Sequence, residues 1–142
     1  LTHEFVAVSA DVGRRLARYE GVPDHRIKVI YNGTADATRV DAAERARLRS
    51  DLELPSGDFV VGLVGRLNPI KNPVVLLQAV AELRKSDVPI RLLIAGDGPM
   101  RAELERAIAE LGLGETVRML GFRNDARRLL HVLDAFALPS FS

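Results

Sequence analysis

Short, wholly apolar segments alternate with segments of helical periodicity over residues 58–142, and this alternation restricts the fold more than any other feature. Strands that are apolar on both faces are typical of a parallel sheet covered by helices on each side. The apolar segments are FVVGLVG (59–65), IRLLIAG (90–96), TVRMLGF (116–122) and AFALP (135–139). The helical segments between them are 73–85, 99–111 and 125–133. The sequence therefore predicts an α/β fold, half of a Rossmann-like, doubly wound parallel sheet.

The helical segments carry boundary signals and apolar faces. Pro73 and Pro99 stand at predicted first helical positions, where a missing amide donor costs nothing, and Asn72 is a candidate cap. Gly112 and Gly114 are expected to end the second helix. The predicted buried faces are Leu76, Val80 and Leu83 in the first helix and Leu104, Ile108 and Leu111 in the second.

Residues 1–33 have the pattern of one β-α-β unit. Two strand-like segments, FVAVSA (5–10) and RIKVIYNG (26–33), flank a helix that begins near Asp11 and ends before Gly21. The predicted buried face of this helix is Val12, Leu16 and Tyr19. We interpret residues 1–33 as the end of one domain.

Residues 34–57 form the predicted linker between two domains. Their apolar content is low, and Asp41 followed by Glu44 is a capping-box signature that opens an arginine-rich helix reaching about Leu52. The segment LPSGD then breaks the chain. Residues 58–142 are, in this interpretation, a partial second domain.

Composition excludes several classes of function. Twenty basic and nineteen acidic residues leave a net charge of +1, which is too weak a field for a general nucleic-acid binder. The basic clusters at 13–18 and 45–50 are interpreted as solvated helix faces. Without cysteine there is no disulfide framework and no thiolate metal site, and a reducing compartment fits.

The chain starts at Leu1 and stops after a strand-like segment, so we expect a fragment of a longer protein. Its longest apolar segments are shorter than the ~18 residues of a membrane span, and no signal segment opens the chain. We therefore expect a cytoplasmic protein, with the inner face of a membrane as a further possibility for the full-length protein. Membrane association is not indicated in this segment.

Two cations flank the loop after the first strand of the second domain. Arg66 and Lys71 lie just before a helix start, where free backbone amides and the helix dipole favour an anion. A forked guanidinium together with an ammonium suits a diphosphate. Because cations are numerous in this chain, two solvated loop side chains are the alternative interpretation.

Two further loops at the same sheet edge carry candidate binding groups. Gly96 and Gly98 occur in AGDGPM, but Arg101 replaces the third glycine of a dinucleotide fingerprint and Asp97 would repel a pyrophosphate. These glycines predict either a tight turn or backbone that faces a ligand. Phe122 and Arg123 end the third strand, where they could stack on a base, although such a phenylalanine is more often part of the core.

Other catalytic chemistry has no candidate residues in this sequence. His3, His25 and His131 are scattered and lack the spacing of metal ligands, so we expect no metal site. No P-loop string and no nucleophile elbow occur. Covalent catalysis and a bound cofactor are therefore not predicted.

The segments GRLNPIKNPVVLLQAV, RLLIAGDGPMRAELERAIAELGL, VRMLGF and DAFALPS, in this order, resemble the donor-binding domain of glycosyltransferase family 4, which has the GT-B fold. VSADVGRRL and KVIYNG resemble the last β-α-β unit of that family's N-terminal domain. The resemblance implies a retaining hexosyltransferase of carbohydrate biosynthesis. It would transfer a sugar from a nucleotide-sugar donor to an acceptor hydroxyl without an essential metal.

The resemblance also implies roles for individual residues. Arg66 and Lys71 would hold the donor diphosphate as the catalytic cations. The remaining positions expected to contact the donor are Gly65, Gly96, Gly98, Phe122, Arg123, Arg128 and Ser140. The acceptor is unknown, with a glycan or a lipid-linked sugar as candidates. The family's two glutamates, spaced eight residues apart, would follow Ser142 and are absent, so we expect this segment alone to be inactive.

Two other functions fit the same fold. A sugar-nucleotide epimerase of the GT-B type would bind a similar donor and isomerise it. A non-catalytic nucleotide-binding module would use the same crevice without any reaction. The IKNP and GDGP strings favour the transferase.

Overall fold

The computed structural model describes residues 3–33 and 40–141. The chain divides into two compact units, Leu1–Ala37 and Thr38–Ser142. The strands are β1 (Phe5–Ala7), β2 (Ile27–Val29), β3 (Phe59–Val64), β4 (Ile90–Ala95), β5 (Val117–Gly121) and β6 (Ala135–Phe136). The helices are α1 (Ala10–Tyr19), α2 (Ala42–Asp51), α3 (Pro73–Arg84), α4 (Arg101–Glu110) and α5 (Ala126–Leu130).

The first unit is a β-α-β unit with parallel β1 and β2. The Ser9 hydroxyl caps α1 by accepting a hydrogen bond from the Val12 amide at 3.2 Å. The buried position of α1 is Gly13, where an added Cβ would already lie 3.5 Å from Ile27. The predicted apolar face is therefore wrong at Val12 and Tyr19, which are exposed, because the helix approaches the strands through its smallest residue.

The second unit is built on a parallel sheet with the strand order β5-β4-β3-β6. This confirms the predicted parallel α/β architecture. The central strands β3 and β4 are almost wholly buried, which explains why their sequences are apolar at successive positions instead of alternating. All strands point the same way, so their carboxyl ends form a single edge of the sheet.

Each face of this sheet is covered by helices. On one face, α3 and α4 contribute Leu77, Val80, Leu104 and Ile108 to a buried core. On the other face, a smaller core is formed around Val60, Leu93 and Val132, against which Leu48, Leu52 and Leu133 pack. The exposed ends of the predicted stripes, Leu83 and Leu111, lie outside both cores because each falls in the last turn of its helix or just beyond it.

One helix start and one helix cap differ from their predictions, whereas α3 begins at Pro73 as predicted. Helix α4 begins at Arg101 and not at Pro99, since the Met100 amide donates to the Leu67 carbonyl at 3.1 Å and holds the preceding turn outside the helix. Asn72 precedes α3, but its side chain accepts no capping hydrogen bond, and its φ of 47° is left-handed. In contrast, the predicted cap of α2 is confirmed by a 2.7 Å bond from the Glu44 amide to Asp41.

Helix α2 packs within the second unit through two arginines. Arg45 Nε donates to the His131 carbonyl at 3.0 Å, and Arg49 Nη2 donates to the Asp58 carbonyl at 2.8 Å. Only 11% of the Arg49 side chain is exposed. The expectation of a solvated face is therefore wrong for these two residues. They are four residues apart, so both side chains lie on the same face of the helix, the one directed toward the sheet. The linker between domains stays a prediction, and its residues 34–39 lie outside the described part of the chain.

Asp134 joins α2 to the start of β3. Its carboxylate accepts the Val60 amide at 2.8 Å and Arg45 Nη2 at 2.7 Å, with Arg49 Nη1 at 3.4 Å. The hydrogen bond from the Val60 amide is the main cause that lowers the pKa of Asp134, with the two arginines adding to it against the opposing effect of burial. Ionised Asp134 is therefore a link between the helix and the sheet.

We expect Asp134→Asn to lower the free energy of unfolding by roughly 1–3 kcal/mol at pH 7, since it weakens hydrogen bonds to a charged group. The folded-state pKa is lowered, so this contribution is present above the ordinary aspartate pKa of about 4 and is lost as the pH falls through the folded-state value. Urea unfolding of both proteins at pH 7 and near pH 3 measures the difference, which should shrink in acid.

The matched control is Asp51→Asn on the exposed side of α2, which should change the unfolding free energy by less than about 0.5 kcal/mol. An equal loss from both substitutions would contradict the role assigned to Asp134.

Candidate functional site

Backbone hydrogen bonds join the loops that follow β3, β4 and β5. The Leu67 amide donates to the Asp97 carbonyl at 3.0 Å, and the Gly96 amide donates to the Gly121 carbonyl at 2.7 Å. The Leu67 carbonyl in turn accepts the Met100 amide, and the Leu67 side chain is fully buried. The three loops therefore form one fixed floor at the carboxyl edge of the sheet.

This floor requires the two glycines after β4. Gly96 and Gly98 have φ angles of 145° and 158°, which side chains rarely adopt. A Cβ at Gly96 would overlap the Gly65 carbonyl oxygen, and one at Gly98 would overlap the Leu67 carbonyl oxygen. Close backbone approach to the loop after β3 thus accounts for both glycines.

A pocket of about 420 Å³ opens above the floor. Its walls are mainly apolar, with an exposed aromatic ring and three charged residues. The lining residues are Val64, Gly65, Arg66, Ala95, Gly96, Asp97, Phe122, Arg123 and Ala126. Ligands of open parallel sheets bind at this edge, and the combination of a flat apolar wall with cations suits an anionic, partly aromatic molecule.

Arg66 lines this pocket, whereas Lys71 does not. Lys71 is half-buried at the end of a 3₁₀ turn, Pro69–Lys71. The Asn68 side chain caps this turn by accepting a hydrogen bond from the Lys71 amide. The Ile70 carbonyl accepts the Phe141 amide at 2.9 Å. The turn of Lys71 therefore lies beside the segment that carries Ser140, at the same sheet edge but on the β6 side of the loop.

Neither cation has a carboxylate partner within residues 3–33 and 40–141. Among the residues that the structure describes, the side chains of Arg66 and Lys71 make no hydrogen bond or ion pair. By contrast, Arg45, Arg91 and Arg101 are each bonded to an aspartate or glutamate. Free cations beside a pocket are available to a ligand.

Phe122 and Arg123 stand at the pocket wall. Phe122 is 75% exposed, so the alternative that it belongs to the core is wrong. Arg123 is held by Asp125 through two bonds, from Nε at 2.7 Å and from Nη2 at 2.6 Å. These bonds raise the pKa of Arg123 and lower that of Asp125.

Arg128 is not brought to the pocket. It projects toward α2, where Arg128 Nη2 lies 3.5 Å from a Glu44 carboxylate oxygen. Gly98 supports the floor without lining the cavity, and Ser140 lies with the residues after β6. The structure thus brings together Gly65, Arg66, Gly96, Phe122 and Arg123, but not Lys71, Gly98, Arg128 or Ser140.

Sequence reasoning missed Asp97 as a lining residue and Asp125 as a partner of Arg123. Asp97 was expected to repel a diphosphate, but its carboxylate accepts the Gly98 amide at 2.7 Å and lies 3.4 Å from Arg101 Nη1, which partly neutralises it. The short spacing from Arg123 to Asp125 was the available signal. The spacing alone does not show that the Arg123 and Asp125 side chains form hydrogen bonds, because this depends on the conformation of the turn before α5.

A larger hollow of about 690 Å³ lies at the opposite edge of the sheet. Arg45 and Arg49 line it, and both are already bonded to Asp134 and to backbone carbonyls. We therefore assign this hollow to the packing of α2. The described parts of the chain hold no cluster of metal-binding side chains, and none of their helices is long and apolar enough to cross a bilayer.

A parallel, doubly wound sheet with a pocket at its carboxyl edge defines an α/β domain of the Rossmann-like type. Residues 44–142 match the family described as Glycosyl transferases group 1. The D-inositol 3-phosphate glycosyltransferase of Nocardia farcinica is 37% identical over 147 residues, which cover 96% of this chain and 32% of the relative. The chain belongs to this glycosyltransferase family.

Other relatives agree with this assignment. The 2-deoxystreptamine glucosyltransferase of Streptomyces kanamyceticus is 33% identical, over 94% of this chain and 33% of that protein. The crystal structure of Anabaena Alr3699/HepE in complex with UDP and glucose superposes with a TM-score of 0.83 and 28% identity, over 97% of this chain and 38% of that one. The chain thus spans about a third of the length of the curated relatives that it matches.

We expect Gly96→Ala to lower the free energy of unfolding by roughly 2–5 kcal/mol, because the new Cβ meets the Gly65 carbonyl and the φ angle is strained. Urea unfolding followed by circular dichroism measures this loss.

Gly114→Ala is the matched control, since a Cβ there meets nothing within 4 Å. If Gly96→Ala is as stable as this control, the close approach between the two loops is not a constraint on the fold.

Proposed function

We propose that this protein is a retaining glycosyltransferase that moves a sugar from a nucleotide-sugar donor to an acceptor hydroxyl, with the donor bound at the pocket around Arg66. The proposal rests on Arg66 at the carboxyl edge of the sheet. Its backbone is held by hydrogen bonds of its two neighbours, and its side chain has no carboxylate partner among the described residues. Family membership supports it, and so do the UDP and UDP-glucose complexes of the Anabaena protein. The proposal places the diphosphate between Arg66 and the turn that carries Lys71.

The chemistry of transfer explains why cations are needed there. The bond between the anomeric carbon and the diphosphate oxygen breaks, and its electron pair goes to the diphosphate. The acceptor oxygen bonds to the carbon, and its proton passes to an oxygen of the leaving diphosphate. Positive groups fixed where this negative charge develops stabilise the transition state more than the ground state. In this proposal Arg66 and Lys71 fill that role, so that neither a cofactor nor a metal is required.

The apolar part of the pocket is proposed to hold the base of the donor. Phe122 is exposed there and Arg123 forms part of the wall. Ser140 is proposed to lie near the donor from the β6 side. We leave Arg128 out of the donor site because it pairs with Glu44.

The acceptor is proposed from the names of relatives. D-inositol 3-phosphate and 2-deoxystreptamine are the first acceptors to test, with a glycan and a lipid-linked sugar as further candidates. The epimerase and the non-catalytic module remain the alternatives. The relatives described above are named as transferases, which favours transfer.

We expect Arg66→Ala to reduce the rate of sugar transfer on the order of 100-fold to 1,000-fold, since it removes one fixed charge from the transition state. Lys71→Ala should reduce it by a similar factor. The measurement is kcat/KM with a UDP-sugar donor panel and the acceptors named above.

Arg106→Ala and Lys85→Ala, which change exposed cations on α4 and after α3, are the controls and should retain full activity. A loss below about tenfold in both site variants would contradict the proposed role of the two cations. Donor isomerisation without transfer would favour the epimerase, and binding without turnover would favour the module.

Chelation tests whether the two cations replace a metal. We expect the transfer rate after dialysis against EDTA to stay within about twofold of the untreated rate, because the leaving diphosphate is neutralised by side chains and not by a Lewis acid. A loss that added Mg²⁺ or Mn²⁺ restores would show that a metal takes part.

A further inference from the structure

We propose that Asp125 is a positioning residue for donor binding: its carboxylate fixes the guanidinium of Arg123 as a rigid wall against which the planar base of the donor nucleotide lies. This inference rests on the proposed function. It adds a residue that does not line the pocket and acts only through its partner.

The geometry of the pair is the first support. Asp125 Oδ1 accepts Arg123 Nε at 2.7 Å, and Asp125 Oδ2 accepts Nη2 at 2.6 Å. Two parallel bonds define the plane of the guanidinium as well as its position. A free arginine side chain has many rotamers, and their loss on binding would weaken the affinity for a ligand. The clamp removes this cost before the donor arrives.

Charge is the second support. The Arg123–Asp125 pair is neutral as a whole, whereas Arg66 on the same pocket has no carboxylate partner among the described residues. The unpaired cation is suited to phosphate oxygens. The paired one is suited to an uncharged, flat group, because a guanidinium plane stacks on aromatic rings even when its charge is balanced.

The surroundings of Arg123 are the third support. Its neighbours in the pocket lining include Val64, Ala95, Phe122 and Ala126, which offer apolar surface and one exposed ring. Base stacking on such surfaces depends little on charge. The pocket therefore has a phosphate end at Arg66 and a base end at Arg123.

The test compares two ligands, UDP and inorganic pyrophosphate, by isothermal titration calorimetry. We expect Asp125→Ala to weaken UDP binding about fivefold, since Arg123 loses its fixed orientation. Pyrophosphate affinity should be unchanged or higher, because a negative charge near the pocket is removed. Asp125→Asn keeps one acceptor oxygen, so its affinity for UDP should lie between those of the unsubstituted protein and Asp125→Ala.

A double variant separates positioning from a direct role. If Asp125 acts through Arg123, then Arg123→Ala and Arg123→Ala/Asp125→Ala should bind UDP equally weakly. Additive losses would overturn the proposal, and so would tighter UDP binding by Asp125→Ala, which would mean that the carboxylate only opposes anion binding.

Glu82→Ala is the matched control, because it removes the carboxylate of another ion pair, 2.7 Å from Lys85, outside the pocket. It should leave both affinities unchanged. If Arg66→Ala binds UDP and pyrophosphate with normal affinity, the proposed donor site itself is wrong. If Arg66→Ala lowers the affinity for both ligands while Asp125→Ala leaves the affinity for UDP unchanged, only the proposed role of Asp125 is wrong.

Discussion

The close contact between the loops after β3 and β4 is the constraint on which the candidate site depends. Arg66 stands between Gly65 and Leu67, and both neighbours are held by backbone hydrogen bonds. The Gly65 amide donates to the carbonyl of Ala95, the last residue of β4, at 2.9 Å, and the Leu67 amide donates to the carbonyl of Asp97 in the loop after β4 at 3.0 Å. The buried Leu67 side chain anchors the same segment in the core. Arg66 is therefore pinned by its backbone while its head group stays free, which is the condition for a preorganised cation.

Arg66 and Lys71 at the carboxyl edge of the sheet differ in their partners from the two arginines of α2. At the amino edge of the sheet, Arg45 and Arg49 are committed to Asp134 and to backbone carbonyls. At the carboxyl edge, Arg66 and Lys71 have no such partners among the described residues. An unpaired charge costs free energy when it is buried. An unpaired charge at the surface is hydrated and can still bind a ligand. The same residue type thus holds a helix at one edge and is open to a ligand at the other.

Much of the architecture was predictable because strands that are buried on both faces have apolar residues at successive positions. Continuous apolar segments predicted β3, β4 and β5, and their carboxyl ends predicted where Arg66 and Phe122 would lie. The helix boundaries were less predictable. Pro99 is compatible with a helix start, but a long-range bond from Met100 to Leu67 delays α4 to Arg101. Local propensity carries no information about such a distant partner.

The sequence by itself determined the parallel α/β class, the order of its elements and the loops that gather at one edge, since these follow from local periodicity and from the direction of parallel strands. Only the tertiary structure decided which side chains meet there. It placed Arg123 with Asp125 at the pocket and Arg128 with Glu44 away from it, although both arginines lie in the same short stretch. The physical reason is that pairing depends on rotamers and on neighbours from distant segments, which a pattern along the chain does not specify.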